Sequence, residues 1–441
     1  MTAAYVGVDV GTSAVKVAAF DGRGELLEAL RRPMPELELH GDAAVQPLEA
    51  CIEAVNDALR GLTLAEDRRR FVALTTQRDT ALLSDAEGRP LTPLISWRDR
   101  REQRYGSIWN ALAAEPATAV GQARAVRSLT SELSLRWTGR SAETVESLPR
   151  HLSGWAAERL DAVCGRTLQR PEMVELGTRV GPLAGGPPLH LTAGDKNCEL
   201  LGNGVLRPGI AGLSLGSAVS LGVAVQGPRP RAAAGVVVTP AAFAGGWNVE
   251  TGLPVGMQAE RMWKEWLAGE LTLEPTLLPG LWCLPFFAGA LDRPSTPAAL
   301  VGLSEQMSAR DLFQAWAQGV VGELRRLRPA LERAGGHAAR QIVMSGGGLA
   351  ASAWARLIAD ALRVSVVCRD DPWSGARGAV MAVLLSGDAE AASRFLEWSR
   401  TMPETSCEPD PDGADRADRY YATQDQLVQS IGDVFGRHDD R

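Results

Sequence analysis

Two α/β domains facing each other are the architecture this sequence predicts. Three observations carry it: a length of 441 residues, an order of strands and helices that runs through the first half and returns in the second, and a glycine-hydroxyl pair at a hairpin tip in each half. A single hydrophobic core seldom serves a chain this long, and domains of roughly 200 residues are the usual outcome. The stretch Gly202-Asn203-Gly204-Val205-Leu206-Arg207-Pro208-Gly209 carries the turn residues of a junction. The domains are therefore set at 1–204 and 205–441, with a cleft expected between them.

Taken in order, Tyr5 to Val10 and Val15 to Phe20 read as strands, and Asp21-Gly22-Arg23-Gly24 as the turn into a third that runs from Glu25 towards Pro33. Pro47 to Leu59 has helical periodicity, with Leu48, Ile52, Val55 and Leu59 on one face and Pro47 suited to the first turn. Phe71 to Thr75 and Thr80 to Ser84 are short strands, followed by the turn Asp85-Ala86-Glu87-Gly88 and an extended segment ending near Trp97. Residues from about 99 to 170 read as helical or irregular; Leu189 to Ala193, Ala211 to Leu215 and Leu221 to Val225 are strands again. The second half continues with a strand pair around Gly216, long helices from Ala309 to Ala334, a strand from Gln341 to Met344 and a helix from Ser352 to Leu362. Glu408 to Arg419, rich in Asp, Pro and Arg, is expected to be exposed, ahead of a closing helix from Tyr420 to Phe435.

Composition narrows the function classes. Hydrophobic residues make up 45% and charged residues 22%, the balance of a globular enzyme and not of a disordered chain. A net charge of −7 without a long basic block leaves no footprint for nucleic acid, and a small-molecule partner fits better. The six cysteines form no C-x-x-C pair and have no neighbouring His at ligand spacing, so neither zinc nor disulfides are expected. With neither an apolar run of about 18 residues nor a leader-like start, no membrane partner is expected and the cytoplasm is the expected setting. Homodimerisation is left open.

The candidate chemistry sits at turns. Gly11, Thr12 and Ser13 form a tight tip able to aim N–H groups and hydroxyls at phosphate oxygens, with Gly11 free to take a positive φ. Asp9, at the strand end, is placed to hold magnesium, and Lys16 to reach back to the same phosphates. Taken alone, the tip also fits an ordinary hairpin turn. Gly216 and Ser217 repeat the arrangement, and Ser345-Gly346-Gly347-Gly348 lies between a strand and a helix, where anions bind. Asp195, in Gly194-Asp195-Lys196-Asn197, follows a strand and opens a helix; it reads as an N-cap or as a general base that takes a hydroxyl proton.

Together these residues resemble the FGGY carbohydrate kinases of the actin and hexokinase-like superfamily. Val8 to Lys16 looks like the first phosphate loop of that family and Ser214-Leu215-Gly216-Ser217 like its second. Ala193-Gly194-Asp195 is similar to the segment bearing the catalytic Asp, and Met344 to Leu349 with Ser352, Trp354 and Ala359-Asp360 resembles the adenosine motif. Gly375-Ala376-Arg377-Gly378-Ala379 looks like the small-residue helix start that closes the nucleotide site. The resemblance implies two ribonuclease H-like (actin/hexokinase-type) domains with an interdomain active-site cleft. It also implies ATP and Mg2+ as cofactors, with Asp9 and Asp195 at the metal. Phosphate contacts fall to Gly11, Thr12, Ser13, Lys16, Gly216, Ser217, Gly346, Gly347 and Gly348.

For the acceptor, Thr76-Gln77-Arg78-Asp79-Thr80 and Ile95-Ser96-Trp97-Arg98 resemble the family's two substrate segments, with the Arg78-Asp79 pair closest to the glycerol kinase pattern. Gln77, Arg78, Asp79, Trp97, Asp195 and Lys196 are thus the expected contacts to a small sugar, polyol or sugar acid. A salt-bridged loop with Trp97 in the core is the structural alternative. Departures stand beside the likeness. Lys196 replaces a small polar residue, where it would meet a carboxylated substrate or weaken Asp195 as a base, and the segment Pro285 to Pro294 is eroded. These departures motivate a rival reading as a catalytically weak sugar- and nucleotide-binding regulator, whereas an actin- or chaperone-type ATPase has no need of the substrate segments.

Overall fold

The computed structural model describes residues 3–101, 108–148, 158–183, 186–267, 271–293, 296–346 and 351–436. It divides into two compact units, one of Met1–Gly204, Thr239–Gly246 and Trp373–Thr401, the other of Val205–Val238, Trp247–Pro372 and Met402–Arg441. Trp373–Thr401, which sequence order alone puts in the second half, packs within the first unit.

The first unit is built on a six-stranded sheet in the order Arg179–Pro182, Pro188–Leu191, Arg69–Thr76, Ala4–Val10, Ala14–Phe20, Leu26–Pro33. Ala4–Val10 pairs antiparallel with Ala14–Phe20 and parallel with Arg69–Thr76, which in turn pairs parallel with Pro188–Leu191. A strand buried on both faces needs a near-continuous apolar run, and Ala4–Val10 is buried at every position except Tyr5. Helix Leu48–Arg60 covers one side through Leu48, Cys51, Ile52 and Val55. Helix Ser374–Gly387 packs against Ala4–Val10 and the helix Asp195–Gly202. It is apolar around most of its circumference, as a helix enclosed by protein must be. Its approach to Asp195–Gly202 is possible only because both sides offer glycine: a Cβ on Gly378 would lie 1.7 Å from the Cys198 carbonyl oxygen, and one on Gly202 1.9 Å from that of Ser374.

A five-stranded sheet in the same unit, Glu38–His40, Ala43–Gln46, Leu94–Ile95, Ala81–Ser84, Ala125–Ser128, has its own core of Val45, Leu83, Ile95, Leu112 and Val126. It brings Gln46 and Trp97 to the tip of the first hairpin.

The second unit carries a seven-stranded sheet ordered Val237–Pro240, Gly246–Leu253, Val219–Gln226, Ile210–Leu215, Gln341–Gly346, Ser365–Arg369, Glu404–Cys407. Its centre repeats the local order of the first sheet, an antiparallel hairpin followed by two parallel strands. Helix Ala309–Gly335 starts with a capping box of Ser308 and Asp311 and stops at Gly336, which takes a φ of 74°.

The closing helix corrects the sequence expectation. It spans Pro411–Gly436 and so begins nine residues before the expected Tyr420, within the stretch Glu408 to Arg419, which is largely exposed as expected. Asp410 accepts the Gly413 N–H on its side chain at 2.8 Å, Pro411 occupies the first turn where no N–H is missed, and Ala414 and Ala417 are buried. All six cysteines are free thiols. Among the described residues no helix is long and apolar enough to cross a membrane.

Candidate active site

Three parallel strands of the first unit end together. Val10 and Thr76 are register partners, Leu74 faces Leu191, and the Gln77 N–H continues the ladder to the Val10 carbonyl at 2.7 Å. The carboxyl ends of parallel strands are the usual place for a ligand in an α/β sheet, and here they deliver Asp9, the segment Gln77-Arg78-Asp79 and the segment Gly194-Asp195-Lys196. Thr75 Oγ1 donates to the Ala193 carbonyl at 2.7 Å and Thr192 Oγ1 to that of Leu74 at 2.6 Å, which locks the second and third of these segments together.

The first hairpin turns at Gly11-Thr12-Ser13, where the Gly11 N–H closes onto the Ala14 carbonyl at 3.0 Å. Gly11 does not use the freedom of glycine to take a positive φ. Ser13 is exposed. Thr12 Oγ1 donates to Gln77 Oε1 at 2.7 Å and accepts from Trp97 Nε1 at 2.9 Å, so an expected phosphate ligand and two expected acceptor contacts lie in mutual contact. Lys16 stands directly across from Asp9 on the neighbouring strand. Burial raises the Asp9 carboxyl to about 6, opposed by Lys16 and reinforced by Asp195 and Glu199.

Asp195 is the first residue of helix Asp195–Gly202, with Gly194 at the cap position. Its Oδ1 accepts the Lys196 N–H at 2.8 Å. Burial holds its pKa above the ordinary carboxylate value, with Lys196 and then Arg78 pulling it back. Lys196 bonds to Glu199 Oε2 at 2.8 Å. Burial works against the Lys196 charge, and Glu199 with Asp195 outweighs it, so its pKa is raised.

Arg78 is 6% exposed and donates through Nη1 to Asn197 Oδ1 at 2.8 Å and Thr239 Oγ1 at 3.3 Å. Its stem lies flat on Gly194, where a Cβ would come within 2.3 Å of Cγ. Asn197 also donates to the carbonyls of Pro240 and Glu146, and the Gly194 N–H reaches the same Glu146 carbonyl at 3.1 Å. Asp79 is buried with a φ of 57°, a left-handed conformation that Asp tolerates better than most side chains and that concentrates at functional sites. Sequence reading missed Gln46, Asn197, Glu199 and Thr239. Only Glu199 left a signal, its (i, i+3) spacing from Lys196.

In the second unit the hairpin tip has the Gly216 N–H on the Ala218 carbonyl at 3.1 Å and the Ser217 carbonyl accepting from Gly256 at 2.7 Å. Ser214 and Leu215 are register partners of Ser345 and Gly346, so the tip and the start of the glycine triplet leave one sheet edge. Gly347 and Gly348 lie outside the described residues. Pro285 to Arg293 forms a turn in which Asp292 pairs with Arg326 at 2.7 Å, with Pro294 outside the described residues. Arg377, expected at the nucleotide site, points into the first unit, its guanidinium stacked 4.4 Å from the Phe20 ring and 4.0 Å from the Trp398 ring.

Among the described residues no cluster of three or more His, Cys, Asp or Glu side chains could hold a metal ion unaided. Magnesium does not require one, because it keeps most of its waters and is commonly held by one or two carboxylates together with substrate phosphates. Asp9, buried, and Asp195, partly buried and raising the Asp9 carboxyl, fit such an ion, whose charge would relieve their repulsion.

Carboxylates with two cations at the ends of parallel strands, and a glycine-hydroxyl hairpin tip in each unit, are groups that phosphotransferase chemistry can use. The N-terminal domain of the FGGY family of carbohydrate kinases matches residues 4–147 and its C-terminal domain residues 232–386, together well over half of the chain. The chain belongs to the FGGY family of carbohydrate kinases, phosphotransferases that act on an alcohol group and use ATP. It is similar to the xylulose kinase of Streptomyces coelicolor, 24% identical over 403 residues, which cover 80% of this chain and 82% of that one. Against the apulose kinase of Pectobacterium atrosepticum it is 32% identical over 109 residues, a match that spans 24% of this chain and only 22% of the relative. Glycerol kinases and a gluconokinase are also among its relatives. The fold matches that of a ligand-bound xylulose kinase from Lactobacillus acidophilus with a TM-score of 0.79 at 15% identity, covering 99% of each chain.

Proposed function

We propose that this carbohydrate kinase moves the γ-phosphoryl group of ATP to a hydroxyl of a small neutral polyol or ketose, with Asp195 as general base. The observation that carries the reading is Asp195 itself: a partly buried carboxylate with a raised pKa, at a helix start on the carboxyl edge of the sheet, within electrostatic reach of Arg78, Lys196 and Asp9. A base is most effective when its pKa is drawn toward the working pH.

In this reading Arg78 and Asp79 orient the acceptor and Trp97 covers its carbon chain. The acceptor hydroxyl gives its proton to the Asp195 carboxylate as its oxygen bonds to the γ-phosphorus, the bond from that phosphorus to the bridging oxygen breaks, and ADP leaves with the electron pair. Magnesium, held by Asp9 with Asp195, would supply charge neutralisation at the phosphates. Ser13, Lys16, Gly216, Ser217 and the Gly346 segment are the proposed phosphate contacts. ATP as donor suits the cytoplasmic setting that the sequence suggests.

The bond between Lys196 and Glu199 supports a neutral acceptor over a sugar acid, because the ammonium already has a carboxylate partner. It also weakens the Lys196 part of the motive for a regulator reading, since Asp195 keeps a raised pKa beside this cation. The test is ADP release across glycerol, erythritol, xylulose, ribulose, rhamnulose and gluconate. A neutral acceptor is expected to raise release at least about tenfold over the rate with water alone. Release no faster with any of the six would sink the proposal, and a preference for gluconate would overturn its neutral-acceptor half.

A further inference from the structure

Gln46 closes a ring of hydrogen bonds from a position that no ligand can touch. It is 0% exposed, at the end of strand Ala43–Gln46. Its Nε2 donates to the Thr12 carbonyl at 3.0 Å and to the Pro35 carbonyl at 2.7 Å. Its Oε1 accepts from Gln77 Nε2 at 3.1 Å, and Gln77 Oε1 accepts from Thr12 Oγ1 at 2.7 Å, which returns the ring to Thr12.

The chemistry of the partners fixes the direction of every bond. Carbonyls only accept, so the Gln46 amide must turn its NH2 to Thr12 and Pro35 and its oxygen to Gln77. That oxygen demands the NH2 of Gln77, whose own oxygen then requires the proton of Thr12. From the other end, the Trp97 indole only donates, so Thr12 Oγ1 must accept there and spend its single proton on Gln77. Flipping the Gln46 amide would set like groups against each other at both ends, and flipping the Gln77 amide would set its oxygen against that of Gln46. The ring therefore has one orientation and one position.

Building on the phosphoryl-transfer reading, we infer that Gln46 is a positioning residue: through Thr12 and Gln77 it sets the donor hairpin against the acceptor segment. Arg78 and Asp79 follow Gln77 directly in the chain, and Ser13 follows Thr12, so the ring spaces the acceptor ligands from the phosphate tip. The Thr12 hydroxyl, with its proton committed, acts as the joint between the two and not as a donor to phosphate.

Gln46→Leu keeps the volume and leaves the Thr12 and Pro35 carbonyls and the Gln77 amide without their partners. The reacting groups should then drift, and a misplacement of about 1 Å costs on the order of 100-fold in rate. The expected result is a fall in kcat of at least about tenfold with both KM values within about threefold, since no ligand contact is removed. The double variant Gln46→Leu with Thr12→Val should lose little more than the worse single variant, because both open the same ring.

A second readout needs no turnover. Amide hydrogen exchange at residues 11–14 should quicken at least about tenfold in Gln46→Leu while that of the strand Ala4–Val10 holds. Unchanged exchange at the tip overturns the inference, as do an unchanged kcat or losses that multiply in the double variant. Wild-type protein that phosphorylates no acceptor would sink the functional reading alone, because exchange still decides the ring. If Gln46→Leu does not fold, Trp97→Phe takes its place in the exchange measurement. It removes the indole N–H that engages Thr12 together with part of the ring, and a tip as protected as in wild type overturns the inference.

Discussion

Glu143 is fully buried between two serine hydroxyls, and its environment predicts a measurable dependence of stability on pH. Ser128 Oγ and Ser147 Oγ both donate to its carboxylate, and each serine also belongs to a capping box, one for helix Leu129–Thr138 and one for the short turn Val145–Ser147. Burial raises its carboxyl from 4.5 to about 7 against the pull of the two serines and the Thr144 N–H. The folded state thus holds a proton that the unfolded chain releases between pH 4.5 and about 7, so stability is lost as pH rises through that window and the full loss stands above it. A shift of about 2.5 units corresponds to about 3 kcal/mol. Glu143→Gln keeps the shape and removes the charge. It should match wild type near pH 5 and exceed it near pH 8 by up to about 3 kcal/mol, roughly 6–12 °C in Tm for a unit of this size. Thermal denaturation followed by circular dichroism at the two pH values measures the difference directly. A variant less stable than wild type by the same amount at both pH values would refute the reasoning, since the carboxylate would then be a net support at every pH.

Two further outcomes follow from the geometry. Arg78→Ala should raise KM for the acceptor at least about tenfold and KM for ATP less than threefold, measured by steady-state kinetics in each substrate, because Arg78 lies in the acceptor segment; equal changes would remove it from that role. Arg377→Ala strips a 1% exposed guanidinium from between Phe20 and Trp398 and from the Gly24 carbonyl at 2.6 Å. It should cost about 3–5 kcal/mol in denaturant unfolding, and a loss below about 1 kcal/mol would show the stack to be incidental.

The elements that sequence revealed are those whose burial is written in local pattern. Ala4–Val10 and Ala14–Phe20 stood out as apolar runs around a glycine-hydroxyl tip, and Leu48–Arg60 as a one-faced helix after Pro47. Asp195 was found because a strand, a glycine and a helix start succeed one another in the chain. The partners that hold these residues are distant in sequence and carry no local mark. Thr239 meets Arg78 across 161 positions, and Gln46 meets Thr12 across 34 from inside an unremarkable short strand. The same holds for Ser374–Gly387, whose glycines are legible as small residues and whose place against Gly7 and Gly202 is a matter of tertiary approach. Composition misled at the closing helix. Asp-Pro-Asp reads as a solvated linker until Asp410 is seen to cap it.

The most direct test is single-turnover phosphorylation of the best acceptor by wild type and Asp195→Asn, with the phosphorylated product quantified by mass spectrometry. With Asp195 as the base, the variant should form product at least about 100-fold more slowly while binding ATP and acceptor within about threefold of wild type. Product formed by Asp195→Asn at the wild-type rate would contradict it.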